Sequence, residues 1–210
     1  MITARLGAGG GLFLVGSVRG LTSEVAPVLA ALEGYAPAAL GFGVSAEELR
    51  GLLEYFVVAD GEPVVPLTTN ELNEVRGLVR FGEVRVPNPV FVEALRWGQR
   101  RSVPAAALDP TEEGSAELFA EHIGYVELVR RTVRERRAGR DPPTPPTPDA
   151  FALEWERRVA RGRGSRSLAR ARDGHLAHEA RSLASRYPRV AVLIDRERFD
   201  GVRTEIAAPA

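Results

Sequence analysis

The sequence predicts an α/β fold, a small central and largely parallel sheet flanked by helices, and three observations carry that expectation. Short apolar runs alternate with helical patterns from the start, the first three runs are each followed by a helix-start signal, and a last run, "RVAVLID", closes the series. Strand followed by helix followed by strand favours parallel pairing through right-handed crossovers. With 210 residues, 44% of them apolar and 27% charged, the chain can bury roughly 70% of the surface it exposes unfolded.

The elements follow in chain order. "GLFLVGS" (11–17) is a short buried strand, and Thr22 or Ser23 caps a helix that carries Val25, Val28, Leu29 and Leu32 at helical spacing. "PAALGFGV" (37–44) is a second strand. Ser45 and Glu48 then form a capping box ahead of Leu49, Leu52, Leu53 and Phe56. Thr68, with Glu71 three residues on, starts a shorter helix, and "PNPVFVEALRWGQRRS" gives another that ends near Arg101. "VPAAALD" (103–109) is a third strand, and Asp109 followed by Pro110 caps a single long helix whose core face is Phe119, Ile123, Val126, Val129 and Val133.

"DPPTPPTPD" cannot be regular structure, because each proline removes a donor and restricts its predecessor. Thr147-Pro148 opens a helix with Phe151, Leu153 and Trp155, a further helix spans about Leu168 to Tyr187, and "RVAVLID" is the final strand. Residues 1–140 are thus the first part of the α/β core and 141–149 a Pro-rich linker. Residues 150–210 supply C-terminal helices and a strand that complete the same domain.

Composition narrows the chemistry. No cysteine is present, which excludes disulfides and thiolate metal sites and makes a cytoplasmic location the expectation. All 28 basic side chains are arginine, which excludes a lysine Schiff base and a P-loop lysine. No apolar run is long enough to span a membrane. Net charge is zero but unevenly spread: residues 1–80 hold five Arg against nine acids, and 130–172 hold thirteen Arg against five.

Several constellations have bland readings beside sharper ones. "GAGGG" (7–11) precedes a strand, so it is a loop and not a dinucleotide fingerprint. His175 and His178 share a helical face but lack a third ligand, and surface histidines are the simpler reading. The acid-free stretch 157–172, with Arg157, Arg158, Arg161, Arg163 and Arg166, has the charge density to neutralise nucleic-acid phosphates. It holds no aromatic for base stacking. Asp109, Glu112 and Glu113 follow a strand end, where capping accounts for them.

Taken together, "LFLVGSVRGLTSEVAPVLAAL", "APAALGFGVSAEELRGLL", "ARDGHLAHEARSLA" and "RVAVLIDRERFDGV" resemble the TraB/PrgY family, which is related to GumN and Tiki proteins. The resemblance implies a TraB/Tiki-like α/β fold. It also implies a metal-dependent hydrolytic centre built from two G-x-x-H turns and a glutamate, and that centre is not retained. Arg19 and Arg198 stand at the two histidine positions and Gly43 at the glutamate. A guanidinium has no lone pair for a cation and repels one, so no metal and no cofactor are expected.

If that fold is kept, Arg19, Arg172 and Arg198 converge as an anion-binding pocket supported by Ser17, Asp173, Asp195 and Glu197. The competing reading pairs these arginines with the acids in a structural network. The functional expectation is a catalytically silent TraB-like protein that binds a small anion or a protein partner. The alternatives are a hydrolase re-sited on Asp109, Asp173, His175 or Asp195, and an Arg-rich nucleic-acid binder.

Overall fold

A computed structural model describes residues 1–7, 11–54 and 68–208. It is α/β, with a five-stranded mixed sheet in the order β1-β2-β5-β3-β4. The strands are β1 (Ile2–Leu6), β2 (Leu12–Ser17), β3 (Ala39–Phe42), β4 (Ala105–Ala107) and β5 (Val190–Asp195). β1 pairs antiparallel with β2, and every other neighbour is parallel. β5 comes last in the chain yet lies between β2 and β3, so the sheet is incomplete until the final strand inserts.

The helices are α1 (Val25–Tyr35), α2 (Ala46–Glu54), α3 (Thr69–Leu78), α4 (Pro89–Arg100), α5 (Glu112–His122), α6 (Tyr125–Arg140), α7 (Pro148–Val159), α8 (Arg163–Arg186) and α9 (Phe199–Ala207). Side chains alternate between faces along a strand, and here each set meets its own helices. Phe13, Val15, Leu40, Phe42, Ala191 and Leu193 pack with residues of α1, α2 and α4. Leu12, Leu14, Val190, Val192 and Ile194 pack with α8 and α9. Burial on both faces explains why β2 and β5 read as continuous apolar runs.

A third cluster joins Val18 and Leu21, just past β2, to Leu78 of α3, Ala138 of α6 and Phe151, Ala152, Trp155 and Val159 of α7. It sets a helical cap over the C-terminal edge of the parallel strands. Gly77 admits the Phe151 ring, which a Cβ at 77 would strike.

Both capping boxes form. Ser45 N donates to Glu48 Oε2 at 2.9 Å and Glu48 N to Ser45 Oγ at 3.1 Å, and Thr68 with Glu71 repeats the pattern. Leu49 and Leu52 are buried, whereas Phe56 lies outside the described residues.

Several expected elements differ. β1 was not expected; its five residues alternate between half-buried and exposed, a run too short to stand out, and the glycine stretch 7–11, of which 8–10 lie outside the described residues, links it to β2. Thr22 does not cap α1: its N–H and hydroxyl both donate to Glu83 O, and a single 3₁₀ turn, Thr22–Glu24, leads into the helix.

Asp109 is not a cap either. Thr111 accepts from Gly114 N at 3.1 Å and α5 starts one residue later. The single long helix is two, broken at Ile123-Gly124, with Gly124 as the α6 N-cap in extended conformation. The break resets the helical phase, so Ile123 is buried while Val126, Val129 and Val133 are exposed. α6 turns Ala138 inward instead, and Arg134 bonds Glu127 at 2.9 Å alongside. Leu153 is exposed as well. α8 starts at Arg163 rather than Leu168, and α9 follows the strand that was expected to be last.

Candidate functional site

Parallel pairing of β2 with β5 sets Ser17 opposite Asp195, and this register brings together Arg19 and Asp195, 176 positions apart. Arg19 donates through Nε and Nη2 to Asp195 Oδ2 at 3.1 and 2.5 Å. Its Nη1 reaches Glu71 Oε1 on α3 at 3.4 Å, and Asn88 Nδ2 donates to the other Asp195 oxygen at 3.5 Å. The cap and the sheet thus meet at one guanidinium, and Asp195 holds the Arg19 pKa well above its ordinary value.

Two further carboxyls crowd this pair. Burial, then repulsion from Asp195, pushes Glu197 up to about 8. Burial pushes Glu74 up to about 7 against the pull of Arg19, with Asp195 repelling it too. Both therefore hold a proton close to neutrality. Ser17 Oγ, Glu197 Oε2 and Trp155 Nε1 are buried without a hydrogen-bond partner among the described residues. α7, which carries Trp155, packs on the turn that carries Glu197, and Ser17 stands opposite Asp195 in the sheet register.

Arg172 and Arg198 form a second group. Arg198 Nε donates to Asp173 Oδ1 at 3.1 Å and its Nη1 lies 2.9 Å from Asp109 Oδ1, while Arg172 Nη2 donates to Asp109 Oδ2. Burial works against the Arg198 charge, but Asp109 and Asp173 outweigh it and hold its pKa above the ordinary value. Burial also raises Asp173, against the pull of Arg198. A cleft of about 280 Å³ opens beside Arg172, lined by Ser45, Glu48, Asp109, Glu112 and Ser115. Three carboxylates around one guanidinium make it acidic.

The three arginines thus divide: Arg172 and Arg198 meet on Asp109, and Arg19 meets Asp195. No hydrogen bond joins the groups among the described residues. They are electrostatic neighbours all the same, since Glu156 of α7 is acted on by both Arg19 and Arg172.

The donor set does not fit the metal that the TraB resemblance implies. Besides the two guanidiniums, a Cβ at Gly43 would stand 2.9 Å from Ile194 Cγ2 and 3.2 Å from Leu176 Cδ1, so packing already fills the place of a glutamate. Among the described residues no group of three or more His, Asp or Glu is arranged to hold a metal. His175 and His178 are exposed on α8.

Sequence reasoning gave Asp109 no part in the arginine pocket and passed over Glu71, Glu74, Asn88 and Trp155 as site residues. Asp109 had a signal, an acid at a strand end, masked by the proline after it. The other four sit in ordinary helix or cap patterns whose distant partners only the fold supplies.

The basic stretch does not form one face. Arg157 and Arg158 lie on α7 and pair with Glu154, whereas Arg163 and Arg166 lie on α8 and point to solvent. Among the described residues, no helix is long and apolar enough to cross a membrane. Comparison with known proteins finds no matching family, no matching curated protein and no matching solved structure.

Proposed function

We propose that this chain is a divergent TraB-like, cytoplasmic pseudoenzyme that binds a small oxyanion, a carboxylate or a phosphate, at the C-terminal edge of its sheet and takes up a proton as it binds. The observation that carries this reading is the set of groups around Asp195: Arg19, two buried carboxyls held near 8 and 7, and the unpartnered Ser17 Oγ and Glu197 Oε2.

A protonated carboxyl donates a hydrogen bond, and an ionised one only accepts. With Glu197 and Glu74 neutral, the junction offers donors from Arg19, Ser17 and the carboxyls themselves. With both ionised, it repels an anion. The site therefore favours an oxyanion only in its protonated state, and bound anion raises the affinity for the proton in return. Ligands commonly bind outside the carboxyl ends of parallel strands, where these residues lie.

Thermal melting with acetate and with sulfate tests it. Sulfate stands in for phosphate because it does not itself titrate in this range. Both should stabilise the protein near about pH 6 and lose their effect near about pH 9. Arg19→Lys, which keeps the charge but not the fork, should weaken both. Equal shifts at the two pH values, or in wild type and variant, would contradict the proposal.

One observation favours a second reading. A carboxyl near 8 is also a general acid suited to neutral pH. Ester hydrolysis that needs no added metal and disappears in Glu197→Gln, while sulfate binding persists, would establish it.

A further inference from the structure

Away from the sheet edge, α6 and α7 enclose a groove of about 760 Å³. Six arginines line it: Arg134, Arg137, Arg140, Arg157, Arg158 and Arg161. Among the described residues Asp141 and Glu154 are its only carboxylates, leaving four positive charges in excess. The C-terminal ends of α6 and α7 lie here, since Arg158 Nη1 donates to Asp141 O at 3.0 Å and Arg134 Nη1 to Val159 O at 3.2 Å. Helix ends carry about half a negative charge each, so an excess of about three remains.

Three of the six are already engaged: Arg134 with Glu127, and Arg157 and Arg158 with Glu154. The side chains of Arg137, Arg140 and Arg161 make no ion pair or hydrogen bond among the described residues. Satisfying the helix ends thus accounts for Arg134 and Arg158 and the Glu154 pair for Arg157, leaving three whose charge the groove does not use.

We infer that this groove binds a compact polyanion carrying several phosphate groups. Guanidinium forks match phosphate oxygens two at a time. The volume lies in the range of small-molecule sites, roughly 300–1,000 Å³. Among the described residues no aromatic side chain lines it, so they offer no platform for a nucleobase, which favours the phosphate chain itself over RNA. The inference is independent of the sheet-edge site.

Calorimetric titration of the full chain with inorganic tripolyphosphate tests it. Wild type should bind with an affinity that falls steeply as salt rises, and Arg137→Ser/Arg140→Ser/Arg161→Ser should lose at least roughly tenfold. Those three side chains have no partners to lose, and a melt of the variant checks that it folds. Glu154→Gln, which releases two guanidiniums, should bind roughly two- to fivefold tighter. Arg19→Lys should bind like wild type, which separates this groove from the sheet-edge site. Failure of wild type to bind, or unchanged binding in the triple variant, would overturn the inference. So would a short RNA that binds more tightly than tripolyphosphate and is lost in the same variant.

Discussion

Replacing Glu197 by Gln should make the protein more stable at alkaline pH and leave it unchanged at acid pH. The Glu197 carboxyl rises from its ordinary 4.5 to about 8 in the fold, chiefly because it is buried and then because Asp195 repels its charge. A folded-state pKa above the unfolded one gives stability that is complete below 4.5, declines as pH rises, and is gone above about 8. At about 1.4 kcal/mol for each tenfold change in equilibrium, ionising this group in place costs up to about 5 kcal/mol. Repulsion from Glu74 is part of that cost, and glutamine removes the charge but must bury its own amide in the same place, so the net gain is about 2–3 kcal/mol. Glutamine keeps a neutral donor at every pH. Urea denaturation from about pH 5 to about pH 9 should therefore give curves that coincide at the acid end and separate by that amount at the alkaline end. Curves that stay parallel, or a variant weaker at high pH, would refute the reasoning.

Asp109→Ala leaves Arg198 buried without its main partner and should cost about 3 kcal/mol in denaturant melts; a loss below about 1 kcal/mol would mean that the Asp109 network contributes little. Gly77→Ala drives a methyl into Phe151 and should destabilise the helical cap by about 1–3 kcal/mol, read as a lowered melting temperature with the sheet's circular dichroism retained. Val129→Ser should change stability by less than about 0.5 kcal/mol, because the residue faces solvent; a core position would lose several times more.

The strands that run through the middle of the sheet were legible because both faces are buried, so Leu12–Ser17 and Val190–Asp195 read as apolar without interruption. The capping boxes at Ser45 and Thr68 were legible because three residues suffice to define them. β1 was not, since a half-buried edge strand of five residues carries little signal. The face assigned to α6 failed because Gly124 interrupts the helix and shifts its phase, and periodicity read across a break assigns the wrong side.

At the site, the sequence placed Arg19 and Arg198 at neighbouring strand ends and offered Asp195 as a partner for these arginines, and it is Arg19 that Asp195 pairs with. It could not show that Arg172 and Arg198 turn to Asp109, because Asp-Pro after a strand looks like a helix start until Thr111 takes the cap. Glu74 was invisible for a different reason. A glutamate in a short helix is ordinarily solvated, and only the packing of α3 under α7 buries it.

The most direct test of proton-coupled binding is to titrate sulfate calorimetrically at about pH 7.5 in two buffers with different ionisation heats. The difference counts the protons exchanged on binding. Uptake of a substantial fraction of one proton, falling to near zero when Glu74→Gln and Glu197→Gln are combined, is the predicted result. Binding without proton uptake would contradict the role given to Glu197, and absence of binding would contradict the site.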